Sequence, residues 1–401
     1  MTPDPEPTPP SERIVSLDAL RGFALLGILV INVRVFAMPE VTLLNPSAYG
    51  DFSGANYWIW FLGHVFAEKK FITLFSALFG AGVVLFTRSK ERKGLPARRL
   101  HLRRMGWLVA IGLAHAYLLW YGDILVAYGL CGIVFVVARD WEPTRQATFG
   151  LAVLAVPSVT ELLLAVSADP AAIAAQWSPA ASTISAEVAA YRGGWIAQMD
   201  HRVPTSFARQ TTGFVSSTGW RVGGTMLLGM ALFEWGVLTN ERPERFYRRL
   251  AVGGGLVGLV TVLAGVWYIE ANDWAAAAAL PWRQFNYWGS FPLAGAYVGL
   301  VMLYCRRRAD GPVTRAFAAV GRTAFTNYLL QTVVATSVFY GHGLGLFGRV
   351  TRVEAFAFVL AVWAVQLPLS VLWLRYFRFG PVEWVWRVLT YRSVQPIRKS
   401  S

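Results

Sequence analysis

Charge, cysteine and histidine are all scarce in this chain. Of 401 residues, 15% are Asp, Glu, Lys or Arg, and there are 2 cysteines and 5 histidines. So little charge cannot solvate the surface of a pair of soluble domains of this total length. Cys131 and Cys305 both lie in apolar runs, which excludes a disulfide framework and a thiolate metal centre. His64, His101, His115, His201 and His342 lack the close paired spacing of metal ligands, so no metal site is expected. The chain has no Walker loop, dinucleotide fingerprint or nucleophile elbow. Its start, MTPDPEPTPPSER, lacks the basic-then-apolar order of a cleaved signal, so insertion is expected to depend on the first helix.

Apolar sequence is abundant. The hydrophobic fraction is 55% and many runs approach the ~20 residues that cross a bilayer as a helix. The expected fold is all-α, a polytopic integral membrane bundle of about ten transmembrane helices. The segments are 19–37, 71–87, 105–121, 124–138, 147–167, 219–239, 250–269, 289–305, 322–340 and 353–374. With the N-terminus inside, the inner loops collect most cations, among them Arg13, Arg88, Arg139, Arg242, Arg306 and Arg378. The outer segments hold few, including Lys69, Lys70, Arg221 and Arg283. This asymmetry places both termini in the cytoplasm and accounts for the net charge of +14 without nucleic acid.

The organisation expected is a cytoplasmic tail over 1–18, a membrane domain over 19–374 and a cytoplasmic tail over 375–401. Within the membrane domain, 39–70 is an outer interfacial segment, and the aromatic stretch 56–65 suits a helix on the outer surface. The long outer loop 168–218 reads as a lid over a cavity or as an amphipathic surface helix pair. The small residues of FSALFGAG, 75–82, and of Gly253–Gly255 suit close helix packing.

A few polar residues interrupt the apolar runs, and ionisable groups at membrane depth are functional candidates. In the first helix Arg21 and Asn32 fall on one face, ~16 Å apart along the axis. The stretch 112–128, GLAHAYLLWYGDILVAY, joins two apolar runs at a polar kink, with His115 in the first run and Asp123 at the junction. His64, Glu68, Gln331, Tyr340 and His342 fall at the outer half on the same topology. A His beside a carboxylate can act as general base, and an amide can donate to an oxyanion. These are parts for acyl transfer onto a hydroxyl or amine. They equally suit a proton-coupled transporter or a lipid-handling protein without covalent chemistry. From the residues alone His115 is the first candidate base, oriented by Asp123, and Arg21 with the basic loop 98–104 is a candidate phosphate clamp.

The stretches RIVSLDALRGFALLGILVINV, KFITLFSALFGAG, GLAHAYLLWYGDILVAYGLCGI, GRTAFTNYLLQTVVATSVFYGHGLGLFG and FRFGPVEWVWRVLTY together resemble the YeiB-like bacterial membrane family. More distantly, the first helix resembles the transmembrane acyltransferase superfamily. That superfamily includes the acyltransferase-three sugar O-acetylases and heparan-alpha-glucosaminide N-acetyltransferase. The O-acetylases carry a His where this chain has Asn32. The heparan enzyme has Asn there and a catalytic His in the following outer segment, where His64 is the nearest counterpart. The resemblance implies acetyl-CoA or another acyl-CoA as donor and His64 or His115 as base, with His64 the choice by similarity; Glu68 follows His64 in the sequence. It implies Arg21 and Asn32 as binding residues; Gln331, Tyr340 and His342 are candidate binding residues from their depth alone. The partners implied are membrane lipids and a small-molecule, glycan or lipid acceptor at the bacterial cytoplasmic (inner) membrane.

Overall fold

A computed structural model describes residues 14–399. Arg13 and most of the tail expected over 1–18 lie outside the described residues. Each apolar run forms a helix, and no strand occurs among the described residues. In chain order these are α1 (Val15–Ala37), α2 (Gly54–Phe66), α3 (Lys70–Arg92), α4 (Ala97–Leu118), α5 (Leu125–Phe135), α6 (Pro143–Ser167), α7 (Pro170–Trp177) and α8 (Ala181–Arg192). They continue as α9 (Met199–Gln210), α10 (Gly219–Glu234), α11 (Glu244–Ala271), α12 (Ala279–Arg307), α13 (Pro312–Arg322), α14 (Ala324–Phe339), α15 (Arg352–Tyr376) and α16 (Pro381–Tyr391).

Every segment expected to span is helical. Among the described residues, 6 spans are long and apolar enough to cross a membrane, whereas α4, α5, α10 and α14 are too short or too charged. The molecule is an all-α polytopic membrane bundle. Local chemistry sets the helix starts. Pro143, Pro170, Pro312 and Pro381 each stand at a first helical position, where the missing N–H is no loss. Thr351 and Glu354 form a capping box at the start of α15.

α1 runs through the middle of the bundle, packed by α3 and α12 to α15. Close backbone approach makes this possible. A Cβ on Gly22 would fall on the Phe317 carbonyl of α13, and one on Gly321 would fall on the Asp18 carbonyl of α1. The FSALFGAG motif does the same between α3 and α10, where a Cβ on Gly80 would strike the Met226 carbonyl and one on Gly229 the Ala77 carbonyl.

Ion pairs show which helix ends meet. Arg88 pairs with Glu234 at 2.6 Å, Arg139 with Glu91 at 2.5 Å and Arg307 with Glu244 at 2.8 Å, joining the cation-rich turns at one end of the bundle. This is the basic end. At the other end Arg352 reaches the Asp51 carbonyl at 2.5 Å, and Tyr57 binds Glu270. The alternation expected from the loops therefore holds for the helix ends.

α2 is sunk into this second end. Its Trp58, Leu62 and Phe66 face outward, while Asn56, Trp60, Gly63 and His64 are buried. The stretch 168–218 folds as α7, α8 and α9 and is tied down by buried polar groups. Arg202 and Ser206 reach carbonyls of Leu118 and Ala116, at 2.8 and 2.9 Å. The C-terminal part is also ordered, with Trp386 of α16 donating to the Arg104 carbonyl at 2.9 Å and Arg378 N–H donating to the Ile397 carbonyl at 2.8 Å.

On α8, Glu187 accepts the Glu40 N–H at 2.9 Å. Burial pushes its carboxyl up to about 7 from an ordinary 4.5. The native state then holds a proton that the unfolded chain releases, so stability falls as pH rises between these two values. The Glu187→Gln variant is expected to melt with wild type near pH 4 and at a higher temperature near pH 8. Thermal unfolding in detergent at the two pH values checks this.

Candidate functional site

One face of α1 lines three adjoining cavities. Arg21, Leu25, Ile28 and Asn32 recur at helical spacing along it. At the basic end Arg21 opens on a mouth of about 510 Å³, lined also by Lys90, Arg92, Arg104, Arg322 and Arg387. Asp18 is the only acid among the described residues lining this mouth, and it pairs with Arg21 at 2.8 Å. Arg104 lies over the Trp386 ring at 4.2 Å and the Phe86 ring at 4.7 Å, held by aromatic faces instead of a carboxylate. The expected basic loop 98–104 is in fact the first turns of α4. Pro96 precedes its start, and of its cations only Arg104 lines the mouth.

The middle cavity, about 260 Å³, shares Arg21, Gly82, Arg104 and Arg322 with the mouth. Its wall is largely apolar, with Leu25, Ile28, Phe75, Leu78, Phe79 and Leu108. Its far end shares Ile28, Ile124 and Tyr328 with the third cavity. Tyr328 is 6% exposed and its hydroxyl has no partner among the described residues, so a polar group stands between the two.

The third cavity, about 420 Å³, is a polar chamber. Asn32 enters it from α1 and makes no side-chain hydrogen bond among the described residues. His64 and Glu68 enter from the α2–α3 corner. His64 is 2% exposed and stacks between Trp60 and Trp282, with ring centroids at 5.2 and 5.3 Å. Its Nδ1 faces Glu68 Oε2 at 3.0 Å, and Arg34 holds the same oxygen at 3.4 Å. A carboxylate is acceptor-only, so a neutral His64 carries its proton on Nδ1 and its lone pair on Nε2; the Asn286 amide nitrogen also stands 3.4 Å from Nδ1. That Nε2 is buried without a partner. Lys70 supports the corner from below, donating to the His64 carbonyl at 2.7 Å and to Asn286 Oδ1 at 2.5 Å. Lys69 links α2 to α3 in a left-handed conformation, φ 66°. This conformation costs a side chain with a Cβ ~1–2 kcal/mol.

The other expected site residues lie elsewhere. His115 is satisfied at both nitrogens, Nδ1 to Asp123 at 2.8 Å and Nε2 to the Thr332 hydroxyl at 3.0 Å. Asp123 also accepts the Val126 N–H at 2.9 Å, which caps α5. Neither residue is among those lining these three cavities; together they pin the α4–α5 hairpin to α14. The Asp123→Ala variant orphans an imidazole N–H and a backbone N–H. It is expected to lose ~2–4 kcal/mol of stability, read as a lowered melting temperature with ligand binding unchanged. Gln331 donates to Gln366 at 2.9 Å between α14 and α15. Tyr340 packs on Tyr191 with centroids at 4.6 Å, and His342 stands 3.4 Å from Gln198. None of these three reaches the chamber.

Several lining residues escaped the sequence reading. His101, placed in a loop, lines the middle cavity from α4 with Nε2 on the Gly132 carbonyl at 3.0 Å. Arg34, Trp282 and Asn286 complete the His64 corner from distant helices, and nothing in local sequence announces that convergence.

The fold and its row of cavities define a multi-pass helical membrane protein with a polar chamber at one end and a basic mouth at the other. Residues 232–393 match the family described as "Protein of unknown function (DUF418)". That region supplies Asn286, Tyr328 and Trp386. Over 399 residues the chain is 37% identical to "Uncharacterized protein YeiB" of Escherichia coli (strain K12), covering 97% of this chain and all of that protein. It is 31% identical over 421 residues to "Uncharacterized protein YxaH" of Bacillus subtilis (strain 168), covering 99% of this chain and 98% of that protein. The chain belongs to this YeiB-like, DUF418 family.

Proposed function

We propose that this protein is a membrane-embedded acyltransferase that moves an acyl group, acetyl first among candidates, from acyl-CoA to an envelope sugar or lipid. The observation that carries the reading is the buried, unpartnered Nε2 of His64, a side chain set by Glu68 on the chamber wall. The uneven lining of the three cavities supports it. A cationic mouth suits the phosphates of a coenzyme A thioester. The narrow apolar middle suits the pantetheine arm, whose length is comparable to the ~16 Å between Arg21 and Asn32. The basic end then faces the cytoplasm, where the donor is made, at the bacterial inner membrane with both termini cytoplasmic.

In this reading His64 Nε2 takes the proton from the acceptor hydroxyl or amine as that atom bonds the thioester carbonyl carbon. Asn32 donates to the oxyanion. The carbon–sulfur bond breaks, and the thiolate receives the proton from His64. His115, fixed at both nitrogens, has the structural role.

A transporter reading draws on the same adjoining cavities. It predicts pH-dependent movement of a solute and no thioester consumption. Acetyl-CoA binding and hydrolysis by the purified protein separate the two. Saturable binding is expected, weakened ~10-fold or more in Arg21→Ala and Arg104→Ala, since a buried charge-assisted contact carries at least ~1.5 kcal/mol. Absence of binding in folded protein rejects the acyltransferase.

A further inference from the structure

The polar chamber carries more positive charge than the His64 corner uses. Lys69, Arg221 and Arg283 line it, and both arginines repel Lys69 electrostatically. Two carboxylates stand near. Glu68 is taken by His64 and Arg34, and Glu161 by Arg283 at 3.0 Å. Arg209, also on the chamber wall, is matched by Glu40. Lys69 and Arg221 form no salt bridge among the described residues, although Glu68 and Glu161 attract Lys69 and Glu161 attracts Arg221 at longer range.

Arg221 is held in place by neutral groups. It donates to the hydroxyls of Thr73 and Ser290 at 2.9 and 2.8 Å, and its guanidinium lies over the Tyr287 ring at 4.5 Å. Its Nε is buried and unpartnered. Lys69 occupies a backbone position, φ 66°, that Asn or Gly fills at lower cost. A cation kept on strained backbone, beside a second cation with a free donor, is an arrangement completed by an anion.

We propose that the chamber seats an oxyanion of its second substrate, a phosphate group, between Lys69 and Arg221, which orients that molecule's hydroxyl or amine toward His64 Nε2. This rests on the acyltransferase reading for the identity of the occupant as acceptor, but the anion site stands on its own geometry. The group can come from a lipid headgroup or from a soluble phosphorylated sugar.

The test uses the full chain in detergent with four probes, phosphatidylglycerol against diacylglycerol and glucose 1-phosphate against glucose. Binding is titrated for wild type, Lys69→Asn and Arg221→Gln. At least one phosphate probe is expected to bind ~10-fold or more tightly than its neutral match, and each variant is expected to lose ~10-fold or more. Lys69→Asn is expected to melt at or above the wild-type temperature, because Asn tolerates the left-handed backbone. A merely structural lysine predicts no loss of affinity. Binding of the lipid alone assigns the site to a headgroup. Binding of the sugar phosphate alone assigns it to a soluble acceptor, and binding of both to the phosphate itself. Each of these supports the proposal. Neutral probes that bind equally well, no phosphate binding to wild type, or a Lys69→Asn variant with unchanged affinity overturns it. Phosphate binding without acetyl-CoA binding keeps the anion site and removes the acyltransferase.

Discussion

The His64→Gln variant is expected to fold and to lose ~100-fold or more in acyl transfer, the range that removal of a general base costs. Gln retains a donor toward Glu68 and fills most of the slot between Trp60 and Trp282, so the corner survives while the free lone pair is lost. The same change at His115 is expected to spare turnover and lower the melting temperature, since both of its nitrogens serve as structural ties. Steady-state thioester consumption with an acceptor, beside detergent melting curves, gives both readouts. A variant of His64 with wild-type turnover removes this residue from the chemistry.

The second large effect concerns packing. Gly229→Val is expected to abolish folded protein, because its side chain must enter the Ala77 carbonyl of α3. Overpacking in a core usually costs ~1–3 kcal/mol, and here backbone instead of a flexible side chain has to give way. Of the small residues expected to pack closely at 253–255, only Gly254 meets backbone, the Pro292 carbonyl of α12. Gly253 lies on the open face of α11 with nothing near its Cβ, so Gly253→Ala is the control. It is expected to be neutral or to stabilise by ~0.5–1 kcal/mol through helix propensity. Size-exclusion profiles and thermal unfolding distinguish the two. If Gly229→Val elutes and melts as wild type, the α3–α10 contact is not as close as described.

These two results also mark what the sequence reveals and what it hides. The helices were legible because apolar runs near membrane length have few alternatives, and the charge of their connecting turns orders the ends. The close approach at FSALFGAG was legible because small residues at helical spacing serve little else. Helical periodicity alone puts Asn32 on one face with Arg21, and the two line cavities of one row. The partner of His64 was also legible, since Glu68 follows one turn later. The choice between His64 and His115 was not. Both are single histidines near a carboxylate, and depth along a helix says nothing of azimuth. His115 turns toward α14 and meets the hydroxyl of Thr332, a residue more than two hundred positions away. His64 turns toward a space bounded by Trp282 and Asn286 of α12. The same limit hid the cation pair. Lys69 and Arg221 read as topology signals in separate loops, and only tertiary packing sets them on one chamber wall.

The central claim is that a donor entering at the basic mouth reacts at His64 in the chamber beyond it. Sealed proteoliposomes test it most directly, with radiolabelled acetyl-CoA confined to the face bearing the basic mouth and a membrane-impermeant acceptor on the other. The account predicts that label appears on the acceptor across the membrane, that free coenzyme A stays with the donor, and that His64→Gln stops both. Intact thioester on the donor side, in protein that is folded and supplied with acceptor, contradicts it.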